Sequence, residues 1–399
     1  MTKHVHYSVI IVGAGTAGIS VAARLVRASK KLKGQIAIID PKTKHYYQPL
    51  WTLVGGGVVK KEESERHLAT LIPAGVDLLG DAVTGFQPKQ NKLLTKQGMI
   101  VSYHYLVAAA GLQIDWDGIK GLKDAVGKNG VCSNYSYHTV DSTWENIRSF
   151  KGGTAIFTHP DSPVKCGGAP QKIMYLADDY FRKSNVRNRS ELMFASAKAN
   201  IFDVPKYADA LEKVVQRKGI QTMYKRNLIE IRPDSKEALF ENLETNEQEI
   251  LTYDLLHVTP PMKAPECIKD SELADAGGWV DVDPYTLQHK KFANVFGIGD
   301  CASLPTSKTG AAIRKQAPVV VRNLTSLMNG SPLNAKYDGY TSCPLVTGYN
   351  KLVLAEFDYN KVPQETFPFD QSKERFSMYL LKRRLLPMIY WNGMLKGWM

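Results

Sequence analysis

The chain has 399 residues, 44% hydrophobic and 23% charged, with 31 Gly and 20 Pro, which excludes a disordered, collagen-like or coiled-coil protein and leaves room for two to three domains. Five cysteines are too few for a disulfide scaffold, and a core of this size needs no such staple. The formal charge of +12 suits an anionic partner: nucleic acid, acidic lipid or a small anion.

The segment before Ser8 is too short for a signal or transit peptide, and an apolar strand begins at once. That strand, Ser8–Val12, leads into Gly13-Ala-Gly15-Thr-Ala-Gly18 and then a helical pattern from Ile19 to Arg27. This is G-x-G-x-x-G in its confirming setting, strand before and helix after. Gly13 permits the tight turn, Gly15 lets the backbone approach a pyrophosphate, and Gly18 lets helix and strand pack closely. Exposed N–H groups and the helix dipole then hold phosphates. A second strand, Gln35–Ile39, ends in Asp40, an acceptor for a ribose hydroxyl. Val101 to Gly111 resembles the central strand of two-dinucleotide-domain flavoproteins, which closes on the FAD.

The middle of the chain repeats this plan without its phosphate cradle. The strand Gly153–Thr158 is followed by His159-Pro-Asp-Ser-Pro-Val-Lys-Cys166-Gly-Gly-Ala-Pro170, a prolyl loop with a cysteine and no G-x-G-x-x-G. A helix is predicted from Gln171 to Phe181, and the strand Glu191–Ala195 ends without an acid for a ribose. A nicotinamide dinucleotide is therefore disfavoured here. Cys166 follows Lys165 and precedes a helix start, and both features favour a thiolate. Cys343 is read in a turn segment, 177 residues further on; spacing alone does not show that the two thiols meet. Cys267 and Cys301 read as small buried apolar residues. The chain has no C-x-x-C or Cys/His cluster, so no metal is expected. His159 reads as a hydrogen-bonded loop histidine.

Phe292-Ala-Asn-Val-Phe-Gly-Ile-Gly-Asp300 is a short strand ending in Gly-Asp, with a helical run from Gly310. It resembles the distal motif of two-dinucleotide-domain flavoproteins, whose Asp binds the ribityl chain of FAD. The helix N-terminus beyond it would stabilise an anionic reduced flavin.

Residues 372–399 carry six basic side chains against one acidic, together with five aromatics (Phe376, Tyr379, Tyr390, Trp391, Trp398). A second short helix is expected after Pro387, with Trp391, Met394, Leu395 and Trp398 on one face. The tail's basic residues, Lys382 to Arg384 included, would lay their charges at lipid headgroups. The apolar stretch Leu385–Leu395 has 11 residues, well short of the roughly 20 that cross a bilayer.

With these motifs in view, the chain resembles the sulfide:quinone oxidoreductases, most closely the mitochondrial-like type. The most specific runs are His45-Tyr-Tyr-Gln-Pro-Leu-Trp51, Pro163-Val-Lys-Cys-Gly-Gly-Ala-Pro-Gln171, Leu256-His-Val-Thr-Pro-Pro261, Thr306-Ser-Lys-Thr309 and Thr341-Ser-Cys-Pro-Leu-Val-Thr-Gly348. The resemblance implies a monotopic flavoprotein on an inner or cytoplasmic membrane that passes electrons from hydrogen sulfide through FAD to ubiquinone. Its sulfane sulfur would go to glutathione, sulfite or cyanide. Cys166 and Cys343 match the family's redox-active pair, and which of them carries a persulfide stays open. Cys132 sits where other branches place a third cysteine, and its part in the sulfur relay is left open. Asp40, Gln48, Val83 and Asp300 match FAD-contacting positions, beside Gly13, Ala14, Gly15, Gly18 and Gly111. Lys165 and Lys308 would stabilise anionic sulfur or reduced flavin.

The expected architecture is α/β, with two Rossmann-like dinucleotide-binding-type domains and a C-terminal amphipathic membrane-anchoring segment. Residues 1–113 and 282–330 form the FAD domain, 114–281 the second domain without an NAD loop, and 331–399 the C-terminal part. A homo-oligomer is compatible with this reading. Three rivals stand beside it. A type II NADH:quinone dehydrogenase would need the missing glycine loop. A soluble sulfide dehydrogenase would lack the basic, Trp-rich tail. A flavin-containing nucleic-acid-binding or scaffold protein would use the positive charge, but no nucleic-acid motif is present.

Overall fold

The computed structural model describes residues 3–399. The apolar run at Val9–Val12 forms the buried half of strand β1 (His4–Val12), at the centre of a seven-stranded sheet. The order runs Val76–Leu79, β2 (Ile36–Ile39), β1, Ile100–Ala108, Lys92–Thr95, Val83–Gln87. Val295–Gly297 pairs with the last residues of Ile100–Ala108, parallel to it. Because β2 and Ile100–Ala108 flank β1 on opposite sides, the sheet's crevice opens above Gly13, where such sheets take their ligands.

Helix α1 (Thr16–Ala28) starts there and lies against Gly310–Met328. Its approach to β1 is set by sterics. A Cβ on Gly18 would lie 1.9 Å from the Gly13 carbonyl oxygen, and Gly13 itself holds a φ of +105°, open only to glycine at little cost.

The second domain is a five-stranded parallel sheet in the order Val131–Cys132, Leu255–His257, Gly153–His159, Ser190–Ser196, Gln221–Tyr224. A three-stranded antiparallel sheet over Arg226–Thr252 extends it. The helix Ala169–Lys183 is tied to this domain through Asp178, whose buried carboxylate accepts from Arg182, Arg187 and Lys218 at 2.7–2.9 Å. The chain enters and leaves the second domain through one small ladder, Gln113–Ile114 against Met262–Lys263. The return crossing therefore falls near residue 263, and the expected boundary at 281 is corrected. Ile268, Leu273, Val280 and Val282 pack into the first domain's core with Ile10 and Leu106, because that face of its sheet would otherwise stand uncovered.

The C-terminal part begins with a hairpin, Thr341–Gly348 against Lys351–Phe357. Cys343 thus lies within a strand and not in a turn; Pro344 is tolerated because the ladder has only two strands. Beyond it the tail is one helical run. The α-turns Phe376–Leu380 and Leu386–Ile389 alternate with the wider π-turns Leu381–Leu385 and Tyr390–Met394. Pro387 does not divide it, since the π-turn before it absorbs the missing N–H. Met394 and Leu395 are buried, and Trp391 lies half-buried under the Arg66 guanidinium. The expected outward face is corrected: the exposed apolar row is Phe376, Leu380, Leu385 and Met388. Trp398 remains exposed, with Arg27 over its ring. Among the described residues, no helix is long and apolar enough to cross a membrane.

Gly18→Ala tests the glycine-loop packing. The added methyl must displace the Gly13 peptide, so the variant is expected to lose about 1–3 kcal/mol in denaturant unfolding. Unchanged stability would show that the loop has slack.

Candidate active site at the domain junction

The second domain's strand Gly153–His159 delivers a loop that crosses to the first domain, where the Cys166 N–H donates to the Lys308 carbonyl at 2.8 Å. Cys166 has a φ of +61°, in the left-handed region, which costs a non-glycine residue roughly 1–2 kcal/mol. It is held there by that bond and by the Ala169 N–H, which donates to its carbonyl at 2.7 Å. The helix Ala169–Lys183 begins immediately, and its Gly168 sits so close to the hairpin that a Cβ would lie 2.5 Å from Leu345 and 3.6 Å from the Cys343 Cβ. This contact brings the two sulfurs together. Cys166 Sγ and Cys343 Sγ are 3.5 Å apart, unbonded, Cys343 fully buried and Cys166 partly open.

The pair is electrostatically unequal. Lys172, on the helix that Cys166 precedes, donates from Nζ to Cys166 Sγ at 3.3 Å. The Cys343 S–H donating to Cys166, with Lys172 and the tail's Lys382 nearby, holds the Cys166 thiol well below its usual range against the opposing effect of burial. Cys343 moves the other way: its bond to Cys166, burial and the Cys166 charge push it well above 9.0. Lys382 is itself buried, donates to the Pro49 carbonyl at 3.1 Å, and is brought down to about 7 by burial and by Lys172. Its predicted place at the headgroups is corrected.

Neither Lys165 nor Lys308 reaches sulfur. Lys165 Nζ donates to Gln48 Oε1 at 2.7 Å and to the Tyr135 carbonyl at 3.0 Å, and burial lowers it to about 8. Lys308 Nζ donates to the Asp300 carbonyl at 2.6 Å and to Ala302 at 3.2 Å, above the Trp279 ring. Asp300 lies in a one-turn helix after Val295–Gly297; burial raises its carboxyl, and the Lys308 and Lys165 ammoniums pull it back. Beside it starts Gly310–Met328, whose first turn is capped by Thr309 Oγ1 accepting from the Ala312 N–H.

Across the crevice, Asp40 closes β2 and accepts from the Ala14 N–H at 2.8 Å and the Lys42 N–H at 2.9 Å. Gly15 caps α1 with no side-chain bond to the first turn, and a Cβ there would meet nothing within 4 Å. Gly111, at φ +71°, has the same open surroundings. Free first-turn N–H groups, an open glycine and carboxyls at two strand ends make a donor set that fits a dinucleotide. Val83 opens the edge strand Val83–Gln87, half-buried, and three strands of the sheet stand between it and β2.

Cys132 sits elsewhere. It is fully buried in the second sheet, paired with His257, and burial pushes its thiol up to about 12, with Thr143 rather than sulfur as its neighbour. His159 is buried, its Nε2 without a partner, and burial lowers it to about 3. The sequence reading did not single out Lys172; its signal was the sixth position after Cys166, the first turn of the helix that follows. Nor did it give a role to His45, or place Lys382 at the sulfurs.

A dinucleotide crevice in one doubly wound domain, with a thiol pair at its junction with the next, fits the pyridine nucleotide-disulphide oxidoreductase class. The model of that description matches residues 7–145. The mitochondrial sulfide:quinone oxidoreductase of Mus musculus is 50% identical over 98% of this chain and 87% of its own. That of Dictyostelium discoideum is 51% identical over 98% and 86%. A solved sulfide:quinone oxidoreductase from Aquifex aeolicus shares the fold, with a TM-score of 0.84 at 18% identity over 100% of this chain and 92% of the other. The chain belongs to the sulfide:quinone oxidoreductase family.

Lys172→Met should shift alkylation of Cys166 by iodoacetamide to higher pH, since the charge favouring the thiolate is gone. At pH values below the wild-type thiol's own pKa the rate should fall roughly tenfold for each unit of that shift. Peptide mapping separates Cys166 from the slow Cys343.

Proposed function

We propose that this protein oxidises hydrogen sulfide and delivers two electrons through FAD to ubiquinone. The 3.5 Å approach of a stabilised thiolate, Cys166, to a protonated partner, Cys343, carries the reading. FAD would rest on Gly13, Ala14, Gly15 and Gly18, with Asp40, Gln48, Val83 and Gly111 along its length and Asp300 and Lys308 at its far end. When bound, it supplies a two-electron acceptor between thiolate and quinone.

The chain's own part is sulfur exchange. In the oxidised pair, hydrosulfide forms a new S–S bond and breaks the bond between the cysteines. The lower-pKa thiol is the better leaving group, so attack falls on Cys343 and Cys166 departs as thiolate beside Lys172. Cys343 then carries the persulfide, which a nucleophile such as glutathione, sulfite or cyanide removes as sulfane sulfur. Cys132, remote from both sulfurs and with a raised pKa, is proposed as a core thiol without a part in the relay.

The acceptor is lipid-soluble, and the tail supports a surface contact. Phe376, Leu380, Leu385 and Met388 are exposed along one helical run, with Lys373, Arg384 and Lys396 exposed beside them. Apolar side chains flanked by cations fit the headgroup layer, where each basic residue adds about 1 kcal/mol on anionic lipid.

Anaerobic sulfide should bleach the flavin of the wild type and fail to bleach Cys166→Ser or Cys343→Ser, while Cys132→Ser responds normally. Bleaching by NADH at a comparable rate would instead favour the dehydrogenase reading. The surface contact is checked separately. Wild type should co-sediment with phosphatidylserine vesicles, and Phe376→Ser with Met388→Ser should weaken this by roughly tenfold per residue, the worth of one buried apolar side chain.

A further inference from the structure

The tail's inner face touches the phosphate loop. The Tyr390 hydroxyl lies 2.8 Å from Thr16 Oγ1 and 2.5 Å from His45 Nε2, and His45 Nδ1 lies 3.0 Å from the Ala14 carbonyl oxygen. All of this is buried or nearly so, with Tyr47 and Trp391 packed against the Tyr390 ring at 4.4 and 5.0 Å between centroids.

Hydrogen-bond inventory fixes the directions. A carbonyl oxygen only accepts, so Nδ1 carries the proton. Burial lowers the His45 pKa and keeps the ring neutral, so Nε2 accepts from Tyr390 O–H, and Tyr390 accepts in turn from Thr16 O–H.

The consequence lies in peptide geometry. The Ala14 carbonyl and the Gly15 N–H belong to one planar trans peptide and point in opposite directions. Turning that carbonyl into His45 turns the Gly15 N–H the opposite way, away from His45, on a glycine whose Cβ side is open. The preceding peptide is pinned independently, its Ala14 N–H on Asp40. Two successive peptides of the glycine loop are thus oriented from outside, one by the strand end and one by the C-terminal tail.

We infer that Tyr390 is a positioning residue for the bound dinucleotide: through His45 it locks the Ala14–Gly15 peptide in the phosphate-binding orientation, so that tail docking and cofactor retention are one equilibrium. Without the hydroxyl, His45 Nε2 loses its donor and the ring is free to change tautomer and release Ala14. The inference rests on the FAD reading above and concerns a residue far in sequence from the loop it orients.

The test compares Tyr390→Phe with Tyr379→Phe. Both keep an aromatic ring on the tail helix; Tyr379 is equally buried but makes no hydrogen bond to the loop. Holoprotein is diluted, and FAD release is followed by the rise of free-flavin fluorescence, with the melting temperature of flavin-free protein measured alongside. Tyr390→Phe should release FAD about tenfold faster, beyond what any drop in the flavin-free melting temperature accounts for. Tyr379→Phe should match wild type. His45→Phe, which removes the relay at its other end, should reproduce the faster release. Equal release from all variants overturns the inference. So does a lowered flavin-free melting temperature accounting for the whole effect, or faster release from Tyr379→Phe as well. A wild type that holds no flavin overturns the FAD reading together with this one.

Discussion

The close seat of Gly168 against the hairpin strand Thr341–Gly348 governs the candidate site. Cys166 reaches the junction on a loop of the second domain, and Cys343 on a strand of the C-terminal part. Their 3.5 Å separation exists because a helix start and a strand meet with no side chain between them. The left-handed backbone of Cys166 is the local cost, offset by bonds to Lys308 and Ala169. Lys172 is carried on the same helix, so charge and sulfur are placed by one element.

Around that contact the chain assembles three distant segments. The first domain supplies the crevice, with Asp40 and the glycine loop on one side and Asp300 at the foot of Gly310–Met328 on the other. The tail then runs across both sites, with Lys382 bonded to Pro49 near the sulfurs and Tyr390 bonded to His45 at the loop. The His45–Trp51 segment is the shared seam, which gives its compact cluster of aromatic and polar residues a physical purpose.

Much of this was legible in the sequence. The glycine spacing, flanked by strand and helix, can be met by few other backbones, so the loop was placed correctly from residues alone. Cys166 was read as a thiolate on the wrong lysine, since Lys165 turns to Gln48 and Lys172 supplies the charge, and the resemblance paired it with Cys343. The errors have identifiable causes. Pro344 made a two-stranded hairpin look like a turn. A basic run, Lys382-Arg-Arg, reads as a solvated face unless one knows that its first member is drawn under the tail. Counting beyond Pro387 at 3.6 residues per turn fails because the π-turn Tyr390–Met394 shifts the side-chain direction, with Met394 and Leu395 inside. The boundary near 263 was missed because covering the first sheet's far face is a tertiary demand with no local pattern.

Lys382 gives the sulfur site a second currency. Its ammonium is kept protonated near neutrality partly by the negative charge on the cysteine pair, against burial and against Lys172. When the pair is oxidised that charge disappears, and the amine is left in a dry, cationic corner that favours its neutral form. Oxidised sulfur thus leaves Lys172 and Lys382 without the anion that both face.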